Sequence, residues 1–238
     1  MNFKDLVRSN EEVAELINAS ERCLDVMNYT EHGIRHAMYV ARVTEKILKK
    51  LGYDDTTAEL GFIAGYMHDT GNSVNRNFHG HVSAVYAYNI LKEMGMSFKD
   101  INIVTAAIGN HEEETGTPVN PVSAALIIAD KSDAHRTRVT QNYDPNEIHD
   151  RVNHAIIKNI VYINPEKRTI SGRIYMNSTS SVMEYFEIYL SRISMSERAA
   201  NLLGCTFKLY INDVLINSPK DIGKRTASKV EAGDQSLD

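Results

Sequence analysis

The chain has 238 residues, 42% hydrophobic and 24% charged, which suits a soluble globular protein of one large domain or one medium domain with an appendix. Its formal net charge of −5 gives no general electrostatic pull towards nucleic acid or an anionic membrane. Cys23 and Cys205 belong to no CxxC pattern, the N-terminus is too charged for a signal peptide, and no apolar run approaches ~20 residues, so a cytoplasmic protein without disulfides or membrane spans is expected.

From about residue 10 to 157 the apolar residues recur at helical spacing. Val13, Leu16 and Ile17 open a first helix that runs on towards Leu24 and Val26. His36, Val40, Val43, Ile47 and Leu51 share the face of a second, with Gly52 as its stop. Thr56-Thr57-Ala58-Glu59 reads as a capping box before Leu60, Ile63, Ala64 and Met67. A helix over about 80–94 carries Val82, Val85, Asn89 and Leu91, and another carries Ile101, Val104, Ile108 and His111. Asn120 as N-cap and Pro121 at the first helical position open a helix with Val122, Leu126, Ala129, Asp130 and Asp133 on its buried face. Residues 145–157 form one more.

After residue 157 the composition changes. "KNIVYINPEKRTISGRIYMN" predicts two strands joined at Pro165–Arg168. A helix over about 180–203 follows, with Val182, Phe186, Tyr189 and Ile193 on one side. "TFKLYIN" alternates Phe207, Leu209 and Ile211 with Lys208 and Tyr210, the period of a half-buried strand. A small ββαβ unit over 158–217 is therefore expected, then a polar, aperiodic tail over 218–238 that reads as disordered. Such a unit can pair strands with its own copy in a homodimer, cover a cleft, or stand as a structural appendix.

His36, His68, Asp69, His111 and Asp130 fall on or beside the buried faces of four predicted helices, and His79 begins another. Six independently buried polar groups would each need partners of their own, whereas one shared metal centre satisfies them all. Inward-facing side chains of a helical bundle can converge on such a centre. Consecutive helical residues point about 100° apart, so His68 and Asp69 of "YMHDTGN" take different roles. One can hold a first ion while the carboxylate bridges to a second, and ions about 3.5–4 Å apart can clamp a displacement at phosphorus.

The segments "GIRHAMYVARV", "AGYMHDTGN", "HGHVSA", "IGNHEEE" and "IIADKSD" show in order the pattern H…HD…H…H…D, and with it the chain resembles the HD-domain metal-dependent phosphohydrolases. The resemblance covers about residues 30–140. With the pattern beyond, it implies a mainly α chain, an HD-domain bundle of about six helices within 1–157 followed by the α+β ββαβ unit. It implies that His36, His68, Asp69 and Asp130 hold one metal and that Asp69 bridges to a second held by His79 and His111. The family's spacing in "HGHVSA" favours His79 as the ligand, leaving His81 as a substrate contact or a support behind the ligands. One branch cleaves cyclic dinucleotides through a histidine pair and a glycine-tyrosine-proline signature; "NHEEETGTPVNP" has neither, which argues against cyclic di-GMP.

One or two divalent ions are therefore expected, and histidine and carboxylate donors suit Mn, Fe, Co, Ni or Zn. The expected reaction is attack of a metal-activated water on a phosphate ester, either a nucleotide or a small phosphorylated metabolite. Catalytic roles are expected of Asp69, Lys131 and Asp133, Lys131 neutralising phosphate and Asp133 orienting a ligand or acting as acid or base. Substrate contacts are expected of Arg76, His81 and His32, the last one helical turn before His36. Arg35 reads as a solvated cation, and of Glu112, Glu113 and Glu114 at most one is expected to face the cleft. His135, His149 and His154 read as surface residues. The loops 72–78 and 112–120 are expected to line the mouth. Two alternatives share the ligand pattern: a regulatory module that binds a nucleotide without turnover, and a di-iron oxygenase.

Overall fold

The computed structural model describes residues 2–139 and 143–217, so the expected tail over 218–238 lies outside the described residues. The bundle opens with a short helix absent from the sequence reading, α1 (Phe3–Arg8), capped by the Asn2 side chain. Helix α2 (Glu11–Val26) buries Val13, Ile17 and Leu24, while Val26 ends it 83% exposed rather than on the core face. Helices α3 (Ile34–Lys50) and α4 (Asp55–Met67) pack against each other. A Cβ on Gly65 would stand 2.7 Å from the Ala41 Cα, so glycine sets how closely they cross.

The N-cap of α4 is Asp54, which accepts from both the Thr57 N–H and its hydroxyl. The helix thus starts two residues ahead of the expected Thr56 capping box, because the Asp54 carboxylate satisfies the Thr57 N–H and takes the cap. Nearly every residue of α4 from Ala58 to Met67 is buried, which makes it the central helix, with α3, α6 (Phe98–Gly109) and α7 (Pro121–Lys131) around it. Asn120 and Ser123 form a reciprocal capping box on α7.

Helix α5 (His79–Glu93) turns Ser83, Ala87, Ile90 and Leu91 inward, and Val85 stays 60% exposed. Of the residues expected on its face, Leu91 is buried and Val82 half-buried, whereas Val85 and Asn89 are exposed. Small residues take the inner positions because a 3-10 turn (Thr70–Ser73) packs directly on α5; the Gly71 N–H donates to the Ser83 hydroxyl at 2.7 Å.

Helix α8 (Ile148–Ala155) leads into strand β1 (Ile156–Asn164), which forms an antiparallel hairpin with β2 (Thr169–Met176). Helix α9 (Val182–Leu202) carries the crossover to β3 (Thr206–Ile211), parallel to β2. A two-residue strand β4 (Val214–Leu215) completes the sheet, so the unit is ββαββ rather than ββαβ. Its turn, Asn212-Asp213, has φ of 48° and 64°, the left-handed pair that closes a tight hairpin. Helix α9 packs against both α7 and β3, and one hydrophobic cluster runs from Val7 to Ile211. No helix among the described residues is long and apolar enough to cross a membrane.

Candidate metal centre

The site is assembled where helix ends meet. His36 comes from the first turn of α3, His68 and Asp69 from the C-terminal end of α4, His79 from the start of α5, His111 from just beyond α6, and Asp130 from the last turn of α7. The four imidazoles are buried, and so is Asp69. Gly71 of the "HDTGN" stretch lets this end of α4 fold against α5, since a Cβ there would sit 2.2 Å from the His79 carbonyl oxygen.

The geometry divides into two halves that share Asp69. On one side His36 Nε2 and His68 Nε2 lie 3.3 Å apart, at 3.4 and 3.2 Å from Asp69 Oδ2. Asp130 Oδ1 closes this half at 3.5 and 3.7 Å from the same two nitrogens. On the other side His79 Nε2 and His111 Nε2 lie 3.1 Å apart, at 3.1 and 3.6 Å from Asp69 Oδ1. His36, His68 and Asp130 form one set of atoms spaced to hold a metal ion, and His68, Asp69 and His111 another.

Each imidazole is oriented through its other nitrogen. Nδ1 of His68, His79 and His111 faces the carbonyl oxygens of Gly65, Arg76 and Ile108 at 2.9, 2.9 and 2.6 Å. A carbonyl can only accept, so Nδ1 carries the proton and Nε2 offers its lone pair to the centre. His36 Nδ1 donates instead to Asp133 Oδ2 at 2.7 Å.

The charges follow from these contacts. Burial and the Arg138 charge push His36 down, yet the carboxylates of Asp130, Asp133 and Asp69 outweigh them and hold it up at about 10. His68 is likewise raised to about 9 by Asp69 and Asp130 against its burial. His111 goes the other way, to about 4, through burial and the neighbouring His68 and His79. Burial would raise Asp69 and Asp130, but the surrounding imidazoles, with Lys131 beside Asp130, hold both well below the usual carboxylate range. Two buried, ionised carboxylates among four imidazoles call for positive charge; protons on His36 and His68 can supply it, and a divalent cation that displaces them matches the same donor set.

A cavity of about 600 Å³ opens over the centre, walled by Arg76–Phe78 and Glu112–Thr115, within the loops expected at the mouth. Arg76, Lys131 and His32 line it. His32 precedes α3 rather than sitting a helical turn before His36, and burial, reinforced by Arg138, keeps its ring neutral. His81 is exposed beside the Phe78 ring and does not line the cavity; residues two apart on a helix diverge by about 200°, so only His79 faces the centre. Asp133 also lies off the cavity, behind His36, where Arg35 Nη2 reaches it at 2.8 Å. Arg35 is thus an ion-paired support for that carboxylate rather than a solvated cation.

All three of Glu112, Glu113 and Glu114 line the cavity, against the expectation of one. Glu112 Oε1 accepts from the Gly80 N–H at 2.5 Å and so caps α5. His149 is exposed but lines the mouth, whereas His154 is half-buried, with its Nδ1 shielded and its ring 5.0 Å from that of Tyr143. The sequence reading missed Arg138, Tyr189 and Arg192, which also line the cavity. For Arg192 a faint signal existed: it lies three residues after the buried Tyr189 and just before the buried Ile193.

The HD domain model matches residues 33–137. Ribonuclease Y of Oceanobacillus iheyensis is 29% identical over 120 residues, spanning 49% of this chain and 21% of that protein. The chain therefore covers about a fifth of that relative's length. An uncharacterized protein of Methanocaldococcus jannaschii, MJ1020, is 24% identical over 220 residues, 82% of this chain and 84% of that one. A solved structure described as a predicted HD superfamily hydrolase, from an uncultured Thermotogales bacterium, is 22% identical with a TM-score of 0.41, over 57% of this chain and 75% of that one.

Proposed function

We propose that this HD-domain protein, whose domain spans residues 33–137, is a metal-dependent phosphohydrolase acting on a nucleotide or a small phosphorylated metabolite. The observation that carries this reading is the convergence of four imidazole Nε2 atoms on Asp69, one pair beside each carboxylate oxygen. Divalent ions held by His36, His68, Asp69 and Asp130, and by Asp69, His79 and His111, would polarise a phosphoryl group and lower the pKa of a water towards ~7.

The chain's own residues do the rest. Asp69 ties the two halves together, so that both respond to one backbone position at the end of α4. Asp133 and the carbonyls of Gly65, Arg76 and Ile108 hold the imidazole planes. Lys131 Nζ, 2.7 Å from Asp130 Oδ2 and on the cavity wall, presents a cation beside the centre to phosphoryl oxygens. A cavity of about 600 Å³ suits a nucleotide-sized ligand.

The test is phosphate release from a panel of nucleotides and simple phosphate esters, by protein stripped of metal and refilled with Mn2+, Co2+, Ni2+, Zn2+ or Fe2+. An oligoribonucleotide belongs in the panel because of the similarity to ribonuclease Y. Turnover that needs metal and vanishes in Asp69→Ala is expected. Stoichiometric metal binding without cleavage of any ester would overturn the reading in favour of a regulatory module, or of an oxygenase if the iron form consumes dioxygen.

A further inference from the structure

We infer that Arg192, carried on α9 of the C-terminal unit, joins Lys131 in an anion subsite on the cavity wall that holds a phosphoryl group of the substrate. The inference deepens the phosphohydrolase reading and rests on it for the identity of the anion. It begins from an imbalance of charge. Lys131 Nζ and Arg192 Nε approach the same carboxylate oxygen, Glu113 Oε1, at 3.0 and 3.1 Å. Among the described residues Glu113 is the one carboxylate within 4 Å of Arg192. Lys131 has a second, Asp130 Oδ2 at 2.7 Å, but Asp130 belongs to the first half of the metal centre. With Asp130 engaged there, one carboxylate serves two cations, and this trio keeps one positive charge in excess on a cavity wall that is otherwise rich in carboxylates.

The arrangement is also held in place. The Arg192 guanidinium lies over the buried Tyr189 ring, 4.6 Å from its centroid, and its side chain keeps 27% exposure at the cavity wall. Ser191 donates its hydroxyl to the other oxygen of Glu113 at 3.4 Å. A guanidinium fixed by stacking, with one edge on a carboxylate, presents its remaining N–H donors as a fork that matches phosphate oxygens. Tetrahedral phosphate can thus bridge Lys131 and Arg192, displacing the contact with Glu113 while the metal centre lies next to Lys131. The C-terminal unit then completes the site.

The measurement is calorimetric titration of metal-loaded protein with inorganic phosphate, beside kcat and KM on any ester that is turned over. Arg192→Gln is expected to weaken phosphate about tenfold or more and to raise KM with little change in kcat, at unchanged metal content; Arg192→Lys recovers part of the loss. Glu113→Gln, which removes the competing carboxylate, is expected to tighten phosphate several-fold and serves if the Arg192 variants fail to fold. An ion pair that merely fastens α9 to α7 would shift Tm and leave the phosphate affinity where it was, and that result overturns the proposal. So does a metal-loaded wild type that binds no phosphate. A wild type without turnover, whose phosphate affinity nonetheless falls in Arg192→Gln, would remove the hydrolase reading and keep the subsite.

Discussion

The two halves of the centre use the same residue types and are built differently. The His36–His68 half has two carboxylates, Asp69 and Asp130, and a third, Asp133, behind His36 that is itself clamped by Arg35. The His79–His111 half has one oxygen of Asp69, and its imidazoles turn Nδ1 to backbone carbonyls, with Glu112 Oε1 a longer 3.5 Å from His79 Nδ1. The surroundings pull the histidines apart accordingly, His36 and His68 upward and His111 downward. Negative charge around one half demands a cation; around the other it barely offsets burial. The first half is therefore expected to be the anchor and the second the weaker, more exchangeable position. Phe78, which precedes His79, has a left-handed φ of 60° and a ring 62% exposed at the mouth, so the weaker half also begins at a strained residue.

The sharpest way to break the comparison is to remove what the halves share. Asp69→Asn keeps the size and loses the charge, and it should empty both positions and cut any metal-dependent turnover by well over ~100-fold, beyond what loss of a supporting residue costs; metal content by mass spectrometry checks it. His68→Ala against His79→Ala comes next in size. The first should leave the protein with little bound metal, the second with one ion per chain. Equal losses in the two variants would show that the halves do not differ. Asp133→Asn tests the support behind His36 and should weaken the tighter ion by ~10–100-fold, leaving the second position unchanged in a competition titration against a chelating dye.

How much of this the sequence revealed depends on where each partner sits in the chain. The six candidate ligands were legible because each is a polar residue on or beside an apolar helical face, a contradiction that a single helix displays by itself. His79 over His81 was favoured by the family's spacing, and the direction of α5 in space supplies the physical reason, turning His79 to Asp69 and His81 away. The inner face of α5 was misread because hydrophobicity says nothing about close approach: Ser83 and Ala87 are inside for their small size, and Val85 is outside. Strand β4 is two residues long, below any periodic signal, although Asn212-Asp213 is a pair that tolerates a tight turn. Arg192 gave only a faint signal, its place beside a buried helical face, because its meaning comes from Glu113, with which its neighbour Ser191 pairs across 78 positions. Pairings across that distance are set by how α9 packs on α7, and one sequence carries no record of it.

The smallest effect tests whether the wall built by α9 is coupled to folding as well as to binding. Glu113 is a carboxyl whose value in the folded protein lies below its ordinary 4.5, because Lys131 and Arg192 outweigh its burial. A group lowered in this way stabilises the fold fully above its unfolded pKa, and the contribution is lost as the pH falls through the lower folded value. Glu113→Gln should therefore cost about 1 kcal/mol at pH 7, the scale of one charge-assisted contact in a partly buried site. The deficit should shrink as the pH falls below the ordinary carboxylate value of 4.5 and on through the lower folded value, where the wild-type carboxylate takes up its proton. Urea unfolding of both proteins at pH 7 and at pH 3.5 reads this directly. A deficit that persists unchanged in acid would mean that the loss comes from packing, and that Glu113 holds its two cations without drawing stability from their charge.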